Sequence, residues 1–469
     1  MRRPIAAALA AAVLTACGND SPPTAPDVGT PPFSPHPELS VVQFGITQIG
    51  GSGPTGAVAI NDLGQVAGTR LGAGPGFIWT AGSLVDLPLG PGQSANDPSD
   101  LNASGVAVGL IYGDETAAVW QDGSVTQLNG ITTGATRAGA INDPGEIVGI
   151  QTSLGLPLYW TGKDDQVPAV LQTLGGIASP RAINNAGAIV GTGTDAVGSI
   201  FYAVAWETPT AEAVILKSFD GTPCRGTATD VNELGAVAGQ CDERAAYWAN
   251  RQALPIRLPS PIDASSQALA LNELGQLVGS TPGPGGSVPA LWTREGSGFR
   301  RFDLGGLSPE QVGEATAINN TGQAAGTIGD QPGGGGGGVP QGVVWTIAIQ
   351  ATLDLVPGDA SNRLRLGRRV SAAILGSPWF QAAKVDLGSL TLGNDDGQDT
   401  SIDQNRKLVP AATLTDVNRD GHLDLVADFD GQRMAANGDL VLGIQTLVLL
   451  GRLKDGNHIR ATDMVEVTR

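Results

Sequence analysis

The chain alternates short apolar runs with small polar breaks, and the breaks recur in register. The run Ala57–Ile60 ends in Asn61, two variable residues and Gly64, and is followed by Gln-Val-Ala and Gly68. The same phrase returns at Asn102, Asn142, Asn184, Asn232, Asn272 and Asn319, which makes seven copies. A Gly stands three residues after each Asn (Gly64, Gly105, Gly145, Gly187, Gly235, Gly275, Gly322) and another seven after it (Gly68, Gly109, Gly149, Gly191, Gly239, Gly279, Gly326). Each copy then runs to one Trp, at 79, 120, 160, 206, 248, 292 and 345.

This phrase predicts a β-hairpin. Asn favours the first position of a tight turn because its side chain bonds the backbone ahead of it. The Gly three residues on suits the left-handed position that closes the loop, and the second Gly marks a strand end or a close backbone approach. A third strand ends at the Trp, as in Gly76–Trp79 and Thr116–Trp120, and a fourth follows, as in Ala81–Leu87. Successive Asn residues are 40 to 48 apart, and four strands in that length predict a propeller blade. The expected fold is all-β: a seven-bladed β-propeller over 41–346 with a small β-sandwich over 349–469. The segment Val41–Ile49 matches the fourth-strand segments Val170–Gly176 and Phe302–Leu307, so it is expected to complete the last blade. An open β-solenoid is the alternative.

Residues 1–17 form a targeting segment: Arg2-Arg3, an apolar run from Pro4 to Leu14 too short to span a bilayer, and the small-residue site Leu14-Thr-Ala-Cys17. This resembles the lipobox of bacterial lipoproteins. The resemblance implies lipidation of Cys17, anchoring to a membrane outside the cytoplasm and, with Gly18 next, the outer membrane. An ordinary secretory signal with an incidental Cys is the alternative. Residues 18–40 are Pro-rich and read as an extended tether.

Composition changes the picture in two places. The formal charge of −18 argues against a nucleic-acid partner. Of three cysteines, Cys17 is assigned to the lipid, and Cys224 and Cys241 flank the hairpin at Asn232. An exported hairpin with that spacing predicts a disulfide, against two free thiols. The six glycines at 333–338 lack a following Lys-Ser or Lys-Thr and read as a surface insertion rather than a phosphate loop.

The phrases at 59–68 and 181–191 resemble a family of bacterial extracellular repeats named for a His-Ala-Phe tripeptide, although that tripeptide is absent here. The resemblance covers residues from about 41 to 346. It implies an extracytoplasmic repeat protein and transfers no catalytic residue.

Beyond residue 349 the strands Ile349–Gly358, Arg369–Gly376 and Asp439–Leu450 predict the sandwich. Its loop from Asp416 to Asp424 carries the most specific chemistry in the chain. Asp416, Asn418, Asp420 and Asp424 fall at positions 1, 3, 5 and 9, Gly421 allows the turn at position 6, and His422 offers a carbonyl at position 7. That spacing predicts a structural Ca2+ site. Position 12 is Ala427, so it is no EF-hand, and the loop resembles the Asp loops of dockerin-like and integrin-like repeats. The stretch 394–399 is a second acidic segment, weak alone, that could complete the site from a neighbouring loop. The alternative is an Asx-rich surface turn.

The three His residues, at 36, 422 and 458, all lie outside the repeats, which removes a Ser-His-Asp triad from them. Asp62, Asp143, Glu146, Glu233 and Glu273 sit in or beside the repeated turns, where a fold role is expected. No nonrepeated acidic pair is evident. The Trp set is expected in the core rather than as a sugar platform. The favoured function is a non-enzymatic, membrane-anchored lipoprotein whose propeller binds a protein or glycan. The alternatives are a polysaccharide-acting hydrolase or lyase with an axial site, and a purely structural envelope component. A cluster of nonrepeated polar and aromatic residues around the axial mouth would favour the enzyme, and an axial face lined only by the recurring Ala and Gly would favour the other two.

Overall fold

The computed structural model describes residues 41–469 apart from Ser52, Ala73, Gln166, Pro309, Glu310, 331–338, Ala360, Pro378, Trp379, 395–398 and 405–409. The leader with Cys17, the Pro-rich tether, the six-glycine run and most of the acidic stretch 394–399 lie outside the described residues.

The fold is all-β with a propeller arrangement. Six repeats each form a separate four-stranded antiparallel sheet. In the second repeat the order is Asn96–Leu101, Ala107–Ile111, Thr116–Gln121, Ser124–Gln127. The first strand of each repeat is innermost and packs on the first strands of its neighbours. The ring closes: Thr316 Oγ1 donates to Ala57 O (3.0 Å) and Asn319 Nδ2 to Asn61 O (3.0 Å). An open solenoid would leave those two ends apart.

Six separate sheets, not seven, is a correction to the expectation from the repeats. The seventh repeat contributes Val312–Ile318, Gln323–Gly329 and Gln341–Leu355 to a twelve-stranded sheet shared with the tail. The cause is the strand Gln341–Leu355, which does not stop at Trp345. Buried Ile347 still packs in the core of the last repeats, and buried Ala351, Leu353 and Leu355 continue the apolar face into the core of the tail. The N-terminal strand Val41–Ile49 pairs antiparallel with its first part, from Val41 opposite Ile349 to Ile49 opposite Gly342. Its second part pairs antiparallel with Val370–Leu375 and parallel with the C-terminal strand His458–Thr468. The tail strands are hydrogen-bonded in one series around a core that includes Ile374, Phe429, Leu449 and Val465.

The turn chemistry follows the sequence. Asn61 Oδ1 accepts from Leu63 N (3.1 Å) and Gln65 N (3.0 Å), and Gly64 takes φ +72°. The second Gly has a sharper cause. Every inner strand carries a β-bulge three residues before its Asn, as between Ala57 and Ala59 or Pro98 and Asp100. The bulge presses the carbonyl five residues before the Asn against the second strand. A Cβ on Gly109 would lie 2.1 Å from Asp97 O, and one on Gly239 2.2 Å from Thr227 O. Only Gly tolerates that approach.

Six of the Trp side chains are at most 2% exposed, which settles them as core. Each reaches back to the preceding repeat: Trp120 Nε1 donates to Pro88 O (3.0 Å), Trp206 Nε1 to Gln172 O (2.7 Å), Trp248 Nε1 to Lys217 O (2.8 Å). Trp79 is only partly buried. The expected disulfide is present, Cys224 to Cys241, with Cα atoms 5.5 Å apart across the fifth hairpin.

Candidate axial binding site

The seven Asn side chains do more than cap their own turns. Each Nδ2 donates to the backbone carbonyl of the next Asn: 61 to 102 (3.0 Å), 102 to 142 (3.2 Å), 142 to 184 (3.1 Å), 184 to 232 (2.9 Å), 232 to 272 (3.3 Å), 272 to 319 (3.0 Å) and 319 to 61. The result is a closed ring of amides around the axis, all of them at least nine-tenths buried.

The carboxylates singled out from the sequence belong to this frame. Asp62 accepts from Asn320 N (2.8 Å), Asp143 from Ala103 N (2.8 Å), Glu233 from Asn185 N (3.0 Å) and Glu273 from Glu233 N (2.9 Å). They form a second layer of links between turns, lining a recess of about 210 Å³. Glu146 accepts from Asn142 Nδ2 (2.6 Å) and from the Tyr159 hydroxyl. Burial raises the Glu273 pKa, with the Glu233 and Asp62 charges adding and the Glu233 N–H opposing. Asp62, Asp143, Glu233 and Glu273 thus link neighbouring turns, whereas Glu146 braces its own.

Inside the ring of inner strands lies a larger cavity of about 850 Å³. Its lining combines recurring apolar positions such as Ala59, Ile60, Ala182 and Ile318 with positions that the repeat phrase leaves free. Three residues before the Asn stand Val58, Ser99, Gly139, Arg181, Thr229, Leu269 and Thr316, and five before it Gly56, Asp97, Arg137, Ser179, Thr227, Gln267 and Glu314. Of these, Ser99, Arg137, Arg181, Thr229, Gln267 and Glu314 all line the cavity. The bulge aims them there, because an extra residue in the inner strand turns its neighbours toward the axis. A repeated frame thus carries a nonrepeated polar wall.

Two lining residues supply a nonrepeated acidic pair. Two residues before the Asn, five repeats have Ala, whereas the second and fifth have Asp100 and Asp230. Asp100 accepts from Leu101 N (2.8 Å) and from Ile141 N (2.9 Å) of the next repeat. Asp230 does the same with Val231 N (2.8 Å) and Leu271 N (2.9 Å). Burial pushes both carboxyls up to about 6 against the lowering by those N–H groups, with Asp143 adding at Asp100, and Asp100 and Glu273 adding at Asp230. Both side chains are part-exposed to the cavity yet ringed by protein. The sequence signal for this wall was the variation between copies at fixed offsets from Asn. It escapes a search for shared motifs, which looks only at what repeats.

A raised carboxyl pKa binds protons in the folded state that the unfolded chain has released. The stability the pair withholds is therefore fully withheld above pH about 6 and returns as pH falls toward the unfolded value near 3.8. After allowance for the open cavity, going from pH 7 to pH 5 should return roughly 1–2 kcal/mol for the two together. Thermal melts of the wild type and of Asp100→Asn/Asp230→Asn at both pH values check this. The double variant is expected to lose that increment.

In the tail, the Asp416–Asp424 loop joins the strands Ala412–Thr415 and Asp424–Phe429. Asp424 is fully buried and accepts from Gly376 N (2.7 Å) and Val417 N (2.8 Å). Asp416 accepts from Asp420 N and Gly421 N (both 3.1 Å), and Asp420 accepts from His422 N (2.8 Å) and Asn418 Nδ2 (2.9 Å). Gly421 has φ +89°, as the turn requires. The His422 N–H bond, with the Asn418 amide, holds the Asp420 carboxyl below its usual range. Among the described residues no group of three or more His, Cys, Asp or Glu is arranged to hold a metal. The donors are all of the oxygen type that a hard cation takes, while the N–H groups of the loop and of Gly376 already engage them.

No protein-family model and no curated protein matches the sequence. Among solved structures, virginiamycin B lyase from Staphylococcus aureus is similar at 10% identity and a TM-score of 0.44, covering 66% of this chain and 99% of that one. A gluconolactonase from Xanthomonas campestris is similar at 11% identity and a TM-score of 0.35, covering 64% of this chain and 89% of that one. Likenesses this weak identify neither a family nor an activity. What the chain's own geometry defines is an all-β protein with a propeller arrangement and a polar axial cavity.

Proposed function

We propose that this protein is a non-enzymatic binding module, lipid-anchored through Cys17 outside the cytoplasm, whose ligand seats in the axial cavity. The observation that supports this is the contrast between frame and wall. Asn, both Gly residues and Trp repeat at every turn, while the positions three and five before the Asn differ in nearly every copy and face one cavity. A component with only a packing role has no need of that variety, and polar groups converging on a concave site are the usual mark of small-molecule recognition. The hydroxyls and amides of Ser99, Thr229 and Gln267 suit a hydroxylated ligand, a glycan fragment above a protein surface.

The test is a thermal-shift screen of the full chain against neutral sugars, sugar acids, sugar phosphates and amino acids, repeated on Leu269→Trp. That variant fills the cavity from an apolar position without removing a polar group. A ligand that raises the melting temperature of the wild type and not of Leu269→Trp supports the reading. Equal shifts in both contradict it.

A hydrolase or lyase remains the second reading, favoured by Asp100 and Asp230 as two carboxyls with pKa about 6 in one cavity. Against it, each uses both oxygens to clasp adjacent strands.

We also retain Ca2+ as a structural ion for the Asp416 loop. Because the tail shares the strand Gln341–Leu355 with the last hairpin, the experiment uses the full chain rather than a fragment. Chelation is expected to lower the melting temperature by several degrees, and Asp416→Ala/Asp420→Ala should abolish the difference between chelated and calcium-loaded protein. An unchanged melt on chelation removes the ion.

A further inference from the structure

The cavity wall is electrically uneven. Arg137 comes from the third repeat and Arg181 from the fourth, so their guanidinium groups hang from neighbouring strands into the same space. Arg137 has one long contact, to Ser99 Oγ at 3.5 Å. Arg181 makes no hydrogen bond or ion pair among the described residues. Partial desolvation, and then the neighbouring Arg137 charge, lower the Arg181 pKa, although both side chains stay exposed to solvent. Among the described residues neither makes an ion pair, although the chain as a whole carries a surplus of acid.

The carboxylates that line the same cavity form no ion pair with either arginine among the described residues. Asp100 and Asp230 are committed to backbone N–H groups. Glu314 is on the seventh repeat, three steps round the ring from both the third and the fourth. It accepts from Gln267 Nε2 at 3.3 Å. Two arginines with no ion-pair partner among the described residues on one wall and a carboxylate on the far wall form a dipolar slot. Guanidinium groups bind planar or tetrahedral oxyanions by paired N–H donors. A carboxylate across the slot accepts a hydroxyl or an amine.

Resting on the axial-binding reading above, we propose that the ligand is a hydroxylated small-molecule anion whose carboxylate or phosphate group is held by Arg137 and Arg181, with its hydroxyl end toward Glu314. Both side chains are exposed to the solvent of the cavity and neither has an ion-pair partner among the described residues, which leaves two guanidinium groups on adjacent strands available to an anion.

The experiment titrates three probes of one sugar frame into the full chain: galacturonate, galactose 6-phosphate and galactose. Wild-type protein should bind at least one of the two anions at least tenfold more tightly than galactose, and which anion binds identifies the group as carboxylate or phosphate. Arg181→Gln and Arg137→Gln should each weaken that binding tenfold or more. Neither should lower the melting temperature of the free protein, since both side chains are exposed and neither makes an ion pair among the described residues. Galactose binding as tightly as the anions, or anion binding unchanged in both variants, overturns the anion assignment while leaving axial binding intact. Failure of all three probes to bind overturns the anion assignment. Anion binding that persists in Leu269→Trp and in both Arg variants overturns the axial site itself.

Discussion

Trp248→Ala should cost roughly 3–5 kcal/mol of stability, a large share of what a domain has. The side chain is fully buried in a cluster that joins two repeats: Ala203, Ala205 and Leu216 of the fourth and Cys224, Val237, Cys241 and Ala246 around the fifth hairpin. Truncation therefore opens a cavity at a blade–blade interface that the disulfide holds in place, so the site cannot collapse to fill it. It also strips the Lys217 carbonyl of its indole donor. Trp248→Phe separates the two effects: it keeps most of the volume and should cost about 1–2 kcal/mol for the orphaned carbonyl and the smaller ring. Urea unfolding of both variants checks this. A loss under about 1 kcal/mol for the alanine variant would return the Trp set to the ligand-platform reading.

Asn184→Ala should cost roughly 2–3 kcal/mol. Its amide donates to Asn232 O (2.9 Å) and its Oδ1 accepts from Ala188 N (2.8 Å), so one substitution opens both the turn and the ring. Asn184→Asp is the sharper probe. An ionised carboxylate keeps the acceptor for Ala188 N but faces the Asn232 carbonyl with no donor, whereas a protonated one restores an O–H. The Asp variant is expected to be less stable than the Ala variant at pH 7 and to recover relative to it at pH 4. If the Asp and Ala variants respond alike to pH, the amide ring is not what joins the repeats.

The frame was legible because it repeats. Asn61 and Gly64 define a turn by their backbone chemistry, the Trp positions mark the core, and Cys224 and Cys241 sit symmetrically about a hairpin. Two things were not legible. The count of separate sheets depends on where Gln341–Leu355 ends, and nothing at Trp345 stops a strand whose apolar alternation simply continues. The cavity wall depends on a bulge in every inner strand. A one-residue insertion reverses which side chains face the axis, so the face on which Arg181 and Glu314 stand is fixed only once the register is known. Gly109 and its equivalents hinted at the bulge, since they are needed only where a carbonyl presses close.

The claim at the centre of this account is that the variable wall, not the repeated frame, is the binding surface. A crystal of the full chain soaked with the sugar anion that titrates most tightly tests it most directly. The account predicts ligand density on the axis, with the acidic group against Arg137 and Arg181 and the hydroxyl end toward Glu314. Density on the outer blades or in the acidic recess of the Asn turns, with the axis holding only water, would contradict it.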